Sequence, residues 1–151
     1  MGDTSTSRGR QAVTPYLHVD QAEKAIDFYK RVFGAKEMIR LLSPDGVVLH
    51  CTLRLGDSRI ILAEAGTMFQ SPRSLGGCSV NMVVYVADCD AVVHDAVAHG
   101  ASVLKEPADM FWGDRYGILR DPFGQIWQVA THKEDVTAEE MNRRAAVAFA
   151  G

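Results

Sequence analysis

The sequence predicts an α+β protein built from two tandem copies of one module, each a strand, a helix and then a meander of strands, with a helix added at the C-terminus. Three observations lead there. Apolar residues alternate over several short runs, as strands require, while two other runs carry them at helical spacing. The order of these runs repeats along the chain. Gly34 and Gly100 end the two helical runs 66 residues apart, and Ile60 and Ile126 stand in late strands at the same offset; equal offsets at separate landmarks mark a duplicated module.

Residues 1–11, "MGDTSTSRGRQ", are small and polar without periodicity, which predicts a mobile tail. The first module spans 12–66. Its strand "TPYLHV" (14–19) precedes "QAEKAIDFYKRVFGA" (21–35), where Ala22, Ala25, Ile26, Tyr29, Val32 and Phe33 share a helical stripe and Gly34 stops the helix. The runs "VVLHCTLRL" (47–55) and "SRIILAEA" (58–65) follow, turned at Gly56-Asp57. A Gly-, Ser- and Pro-containing stretch, 67–78, reads as a linker. The second module, 79–132, repeats the plan with "NMVVYV" (81–86), the helix "CDAVVHDAVAHGA" (89–101), and the strands "DRYGILRD" (114–121) and "QIWQVAT" (125–131) joined through Pro122-Phe123-Gly124. In the segment 133–151, Thr137 and Glu140 have the spacing of a capping box and predict the last helix, which carries Met141, Ala145, Ala148 and Phe149.

Composition excludes several classes of function. The chain has 151 residues, 47% apolar and 23% charged, with a formal net charge of −3. Its basic residues are scattered, so no positive field is offered to nucleic acid or anionic lipid. No apolar run approaches the roughly 18 to 20 residues of a membrane helix, and no secretory leader is legible, so a cytoplasmic protein is expected. Cys51, Cys78 and Cys89 are too few and too irregularly spaced for a disulfide framework or a zinc knuckle and read as small hydrophobes.

The repeated arrangement, with "AIDFYKRVFGA" in the first module and "RDPFGQIWQVATH" in the second, resembles the vicinal oxygen chelate superfamily, which includes glyoxalase I, extradiol dioxygenases and bleomycin resistance proteins. The segments "PYLHV", "WGDRYG", "DPFG" and "ATHKEDVTAEEM" look most like its PhnB-like branch. The resemblance implies two βαβββ modules forming a curved, cup-shaped sheet with helices outside, a small-molecule ligand held on the inner face, and a homodimer. It also implies, in the metal-dependent members, a divalent cation held by His or Glu from the first and last strands of each module.

Strand parity indicates which side chains face the cup, because the helix-packing face is the apolar one. On this reading Thr14, Tyr16 and His18 face inward from the first strand, Val48, His50, Thr52 and Arg54 from the third, and Ile60, Leu62 and Glu64 from the fourth. In the second module the inward set is Asn81, Val83, Tyr85, Tyr116, Ile118, Arg120, Ile126, Gln128 and Ala130, with Trp127 and Val129 packing outward. Gln128 less the repeat offset falls on Leu62. The positions expected for metal ligands are then Thr14, Leu62, Asn81 and Gln128. None of the four is a carboxylate, imidazole or thiolate, so neither a metal nor another cofactor is expected. An off-register set of His18, His50 and Glu64 is the alternative metal site.

No Ser/His/Asp arrangement, GxSxG elbow or Gly-rich phosphate loop is present. Glu64 and His50 are the candidate catalytic groups, as general bases, against the alternative that they only hydrogen-bond a ligand. The candidate ligand-binding residues are Tyr16, His18, His50, Thr52, Glu64, Asn81, Tyr85, Trp112, Tyr116 and Gln128. Two readings stand for the cluster "MFWGDRYG" (110–117): aromatic stacking on a planar or cationic ligand, or Trp112 closing the core with Asp114 paired to Arg115. His94, His99 and His132 are expected to be solvated. The functional expectation is sequestration of a small organic ligand without metal; the alternative is a lyase, isomerase or dioxygenase acting on a small oxygenated substrate.

Overall fold

The computed structural model describes residues 11–151. It divides into two compact units, one ending at Gly77 and the other running from Cys78 to Gly151. In the first unit β1 (Tyr16–Val19) leads into α1 (Ala22–Phe33), followed by β2 (Lys36–Leu42), β3 (Val48–Leu55) and β4 (Ser58–Glu64). The strands are ordered β1-β4-β3-β2, with β1 parallel to β4 and the other pairs antiparallel. The helix lies on one face, burying Ala22, Ala25, Ile26, Phe28, Tyr29 and Val32. Each large apolar side chain so buried contributes about 1.5–3 kcal/mol.

The second unit repeats this plan. β5 (Met82–Tyr85), α3 (Cys89–Ala98), β6 (Ser102–Asp109), β7 (Asp114–Arg120) and β8 (Ile126–His132) form a sheet of order β5-β8-β7-β6. The α+β fold of tandem βαβββ modules is therefore the architecture of the chain. Between the modules, the stretch expected as linker contains the single-turn helix α2 (Pro72–Leu75). Ser71 caps it, fully buried, and its hydroxyl donates to Asp20 Oδ2 at 2.8 Å, which fastens this segment to the first unit. The expected tail falls outside the described residues except for Gln11, whose carboxamide bonds both backbone groups of Arg59.

The inward and outward faces differ from the parity reading in two places. Cys51 pairs with Leu62 and Leu53 with Ile60, and all four are buried, so Ile60 and Leu62 pack on the helix side. Ile61, opposite Thr52, takes the other face. Residues 60–63 are all apolar, so alternation has no contrast to read there, and the offset of 66 misses a turn one residue longer in the second module: between paired Arg54 and Arg59 stand four residues, between Arg120 and Ile126 five. The last strands are therefore offset by 67, Gln128 corresponds to Ile61, and a single residue in the count moves every side chain to the opposite face. The second difference is a bulge in β3. Leu41 pairs with His50 but Leu42 with Val48, leaving Leu49 extra; Val48 is buried and Leu49 exposed.

The longer turn is organised by Asp121. Its Oδ1 accepts the N–H groups of Phe123 and Gln125 at 2.9 and 3.0 Å, and its Oδ2 accepts Trp127 Nε1–H at 2.9 Å. Trp127 is the largest fully buried side chain. The final helix, α4 (Ala138–Ala148), begins with half of the expected capping box. Thr137 Oγ1 accepts from Glu140 N–H, but the Glu140 carboxylate turns to Arg143 and Arg144, which hold its pKa down at about 2.

Candidate functional site

On the face of the first sheet away from α1 there is a cavity of about 530 Å³. His50 and Thr52 line it from β3, Arg59 and Ile61 from β4, Met38 and Ile39 from β2, and Gln11 and Thr14, which precede β1, complete it. His50 Nε2 lies 2.9 Å from Thr52 Oγ1. A run of rings adjoins: Tyr16 stands 6.0 Å edge-on from His50 and 4.5 Å from His18, and His18 stacks on Phe69 at 4.4 Å. Burial lowers the His18 pKa, so its ring is neutral near pH 7. Phe69 belongs to the 67–78 stretch, which sequence patterning treats only as linker.

Glu64 does not point into this cavity. Its oxygens accept the backbone N–H groups of Gln21 at 2.8 Å and Ala22 at 2.7 Å, at the start of α1. Gln21 is in the left-handed conformation and its own side chain makes no cap, so the carboxylate supplies the missing acceptor and opposes the helix dipole. The second module has the same device: Thr131 Oγ1 accepts Cys89 N–H at 2.8 Å at the start of α3.

On the second sheet Val83, Tyr85, Trp112, Asp114, Tyr116, Gln128 and Ala130 surround a cavity of about 230 Å³. Four sequence-selected residues, Tyr85, Trp112, Tyr116 and Gln128, are thus brought together; Asn81 is exposed and lines neither cavity. The Trp112 and Tyr116 rings lie 5.1 Å apart. The side-chain amide of Gln128 has no hydrogen-bond partner among the described residues.

The residue sequence reasoning missed here is Asp114, although it shares the parity of Tyr116. It is buried, and it is not paired with Arg115, which binds Asp90 and Asp109. Tyr85 Oη–H donates to Asp114 Oδ2 at 2.8 Å, and this bond raises the tyrosine pKa. His132 is likewise not simply solvated. Its Nδ1 lies 3.1 Å from Asp114 Oδ1 and its Nε2 2.8 Å from Asp135 Oδ1; two carboxylate acceptors favour the doubly protonated ring and raise its pKa. Of the other histidines, His99 bonds Asp95 O at 2.7 Å, and His94 lines a hollow between α3 and β6.

The loop that carries Trp112 is held from behind. Arg144 donates to Phe111 O and pairs with Glu134, and Phe149 packs edge-on against Phe111 at 5.8 Å. The α4 helix therefore braces its own module at this loop.

Two observations bear on a metal. Among the described residues no three His, Cys, Asp or Glu side chains come together as a cation site. The corrected set of superfamily positions, Thr14, Ile61, Asn81 and Gln128, offers a hydroxyl, an alkyl group and two amides. Those donors do not fit a divalent transition metal. Nor does the alternative set assemble, since Glu64 is engaged with α1, His50 with Thr52, and His18 with two rings.

Comparison with known proteins agrees with the fold. The model of the Glyoxalase/Bleomycin resistance protein/Dioxygenase superfamily matches residues 12–129. The protein Rv0887c of Mycobacterium tuberculosis (strain H37Rv) is 37% identical over 145 residues, covering 93% of this chain and 85% of the relative. The fold is shared with the PhnB protein from Bacillus cereus, described as a putative 3-demethylubiquinone-9 3-methyltransferase, at 20% identity and a TM-score of 0.65 over 80% of this chain and 99% of that one. It is also shared with TnmS3, an antibiotic binding protein from Streptomyces sp. CB03234, at 20% identity and a TM-score of 0.60 over 78% and 92% of the two chains. Among the described residues no helix is long and apolar enough to cross a membrane.

Proposed function

The chain belongs to the glyoxalase/bleomycin resistance protein/dioxygenase superfamily, and from that membership we propose that it binds a small organic ligand stoichiometrically, without a metal ion, and releases it unchanged. The observation that carries this reading is the donor set: at the places where the superfamily's metal-dependent members hold their cation, this chain has Thr14, Ile61, Asn81 and Gln128. What it has in place of a metal site is hydrogen-bonding and aromatic surface. The first-unit cavity of about 530 Å³ lies within the roughly 300–1,000 Å³ of small-molecule pockets and combines Met38, Ile39 and Ile61 with His50 and Thr52. That mixture suits a compact, largely apolar ligand oriented by one or two hydrogen bonds.

Homodimerisation belongs to the same proposal. Met38, Ile39, Leu41, Leu42 and Leu49 are all about half exposed on β2 and β3, an apolar area that association would cover. The fold shared with TnmS3, an antibiotic binding protein, is in keeping with sequestration but at 20% identity carries no ligand over to this chain.

The test is a thermal-shift and calorimetric screen of planar aromatic and oxygenated compounds, run in the presence of a chelator, with metal analysis of the purified protein. Saturable binding that survives chelation, and mass spectra showing the ligand unchanged after release, are expected. A stoichiometric transition metal, or turnover lost in His50→Ala, would sink this reading in favour of the lyase, isomerase or dioxygenase alternative.

A further inference from the structure

We propose that the cavity of the second unit is a binding site for the protonated amino group of a small aryl-alkyl amine, held by the Asp114 carboxylate within the rings of Tyr85, Trp112 and Tyr116. The inference rests on the ligand-binding reading above and gives one of its cavities a chemical class. At about 230 Å³ this cavity is smaller than the usual pocket for a drug-sized ligand, so its occupant is fragment-sized.

Charge decides its class. Among the described residues Asp114 is the only formally charged side chain in the lining, and it is buried. A carboxylate offers about four acceptor positions. Tyr85 and His132 take one on each oxygen, which leaves capacity for an ammonium donor. The His132 charge is shared with Asp135, so the group of Asp114, His132 and Asp135 remains net negative when the ring is protonated. An anionic ligand would be repelled by that net charge, and a neutral donor would fill the free acceptor position without balancing it.

The ring faces act in the same direction, since aromatic quadrupoles attract cations. Lys105 already shows this, with its Nζ 5.4 Å from the Tyr116 centroid. The unpartnered amide of Gln128 adds a carbonyl acceptor on the remaining side. A ring with a short aminoalkyl chain meets all three features at once: aromatic contact, a cation for Asp114, and a donor for Gln128.

Calorimetry on the intact chain with phenethylamine, 2-phenylethanol and 3-phenylpropionate separates charge from shape, because the first two are nearly isosteric. The amine is expected to bind at least about tenfold more tightly than the alcohol, with no detectable binding of the acid. Asp114→Asn should remove most of that preference while leaving alcohol binding in place. In NMR spectra the Trp112 indole N–H should move on adding the amine, while that of buried Trp127 should not. Equal affinity for amine and alcohol overturns the amine assignment and leaves the ligand-binding reading standing. Failure of all three to bind, or an amine that leaves Trp112 unmoved, also overturns it, and the first-unit cavity then carries the function alone. Should Asp114→Asn fail to fold, the comparison of amine with alcohol on the unaltered chain still decides.

Discussion

The carboxylate of Glu64 accepts the backbone N–H of Ala22 at 2.7 Å, so a residue at the end of the last strand of its module caps the helix near the start of that module. Thr131 and Cys89 repeat this contact 67 residues later. A group so engaged holds structure. Glu64→Ala is expected to lower stability by about 1–2 kcal/mol, the usual cost of an N-cap together with its dipole interaction. Ligand affinity should stay within about twofold. Urea denaturation beside calorimetry checks both. A large loss of binding with unchanged stability would return Glu64 to the list of functional groups.

Asp121 gives the second prediction. Its side chain satisfies two backbone donors of the 121–125 turn and the indole N–H of a tryptophan that is almost wholly buried. Asp121→Ala leaves those donors without this acceptor, and the destabilisation should be about 3 kcal/mol. Trp127→Phe, which removes one donor and some volume, should cost less. Thermal and chemical unfolding of the two variants ranks them; the reverse order would show that the packing of Trp127 outweighs the hydrogen bonds of Asp121.

How far the site was legible turns on this same turn. Gly34, Gly100 and the apolar stripes revealed the repeat, because helix periodicity and left-handed caps are local properties of sequence. Parity also placed Tyr85, Tyr116 and Gln128 on one face, where they line a cavity. It fails for β4, since Ile60, Ile61, Leu62 and Ala63 are all apolar and give no contrast between faces, and the fixed offset then puts Leu62 in place of Ile61 because it misses the extra residue between Arg120 and Ile126. It failed at Val48 because a bulge leaves no mark in an apolar run. Asp114 escapes sequence reading for a different reason. Its sequence neighbour Arg115 offered a plausible local partner, whereas its actual partners, Tyr85 and His132, are brought near it only by the pairing of β5 and β7 with β8.

Gly113 supports the loop of Trp112. Its φ is +103°, a left-handed value, and a Cβ there would lie 2.3 Å from the carbonyl oxygen of Glu134. Its own carbonyl accepts the N–H groups of Lys133 and Glu134 at 2.9 and 3.0 Å, so the backbone on both sides is fixed. Gly113→Ala is expected to cost about 1–3 kcal/mol or more in stability and to displace Trp112. Tryptophan fluorescence and phenethylamine affinity should change together. Preserved amine affinity in this variant would show that the loop tolerates the shift.

His132 gives a prediction in pH. Asp114 first, and Asp135 second, raise its folded-state pKa above the ordinary 6.5, with Lys133 and Glu134 as its charged chain neighbours. A raised pKa means that the folded state holds the proton more tightly than the unfolded chain does. The resulting stabilisation is fully present below the unfolded value and is lost as pH rises through the folded one. The side chain is half exposed, so the effect is modest and weakens with salt. The stability gap between the native chain and His132→Gln should therefore narrow as pH rises from about 6 to about 9. NMR titration of the His132 ring should give a midpoint above 6.5 that falls toward it in Asp135→Asn. A midpoint at or below 6.5 in the native chain would mean that the two carboxylates do not hold the ring in solution, and that Asp114 faces its cavity with Tyr85 as its only partner.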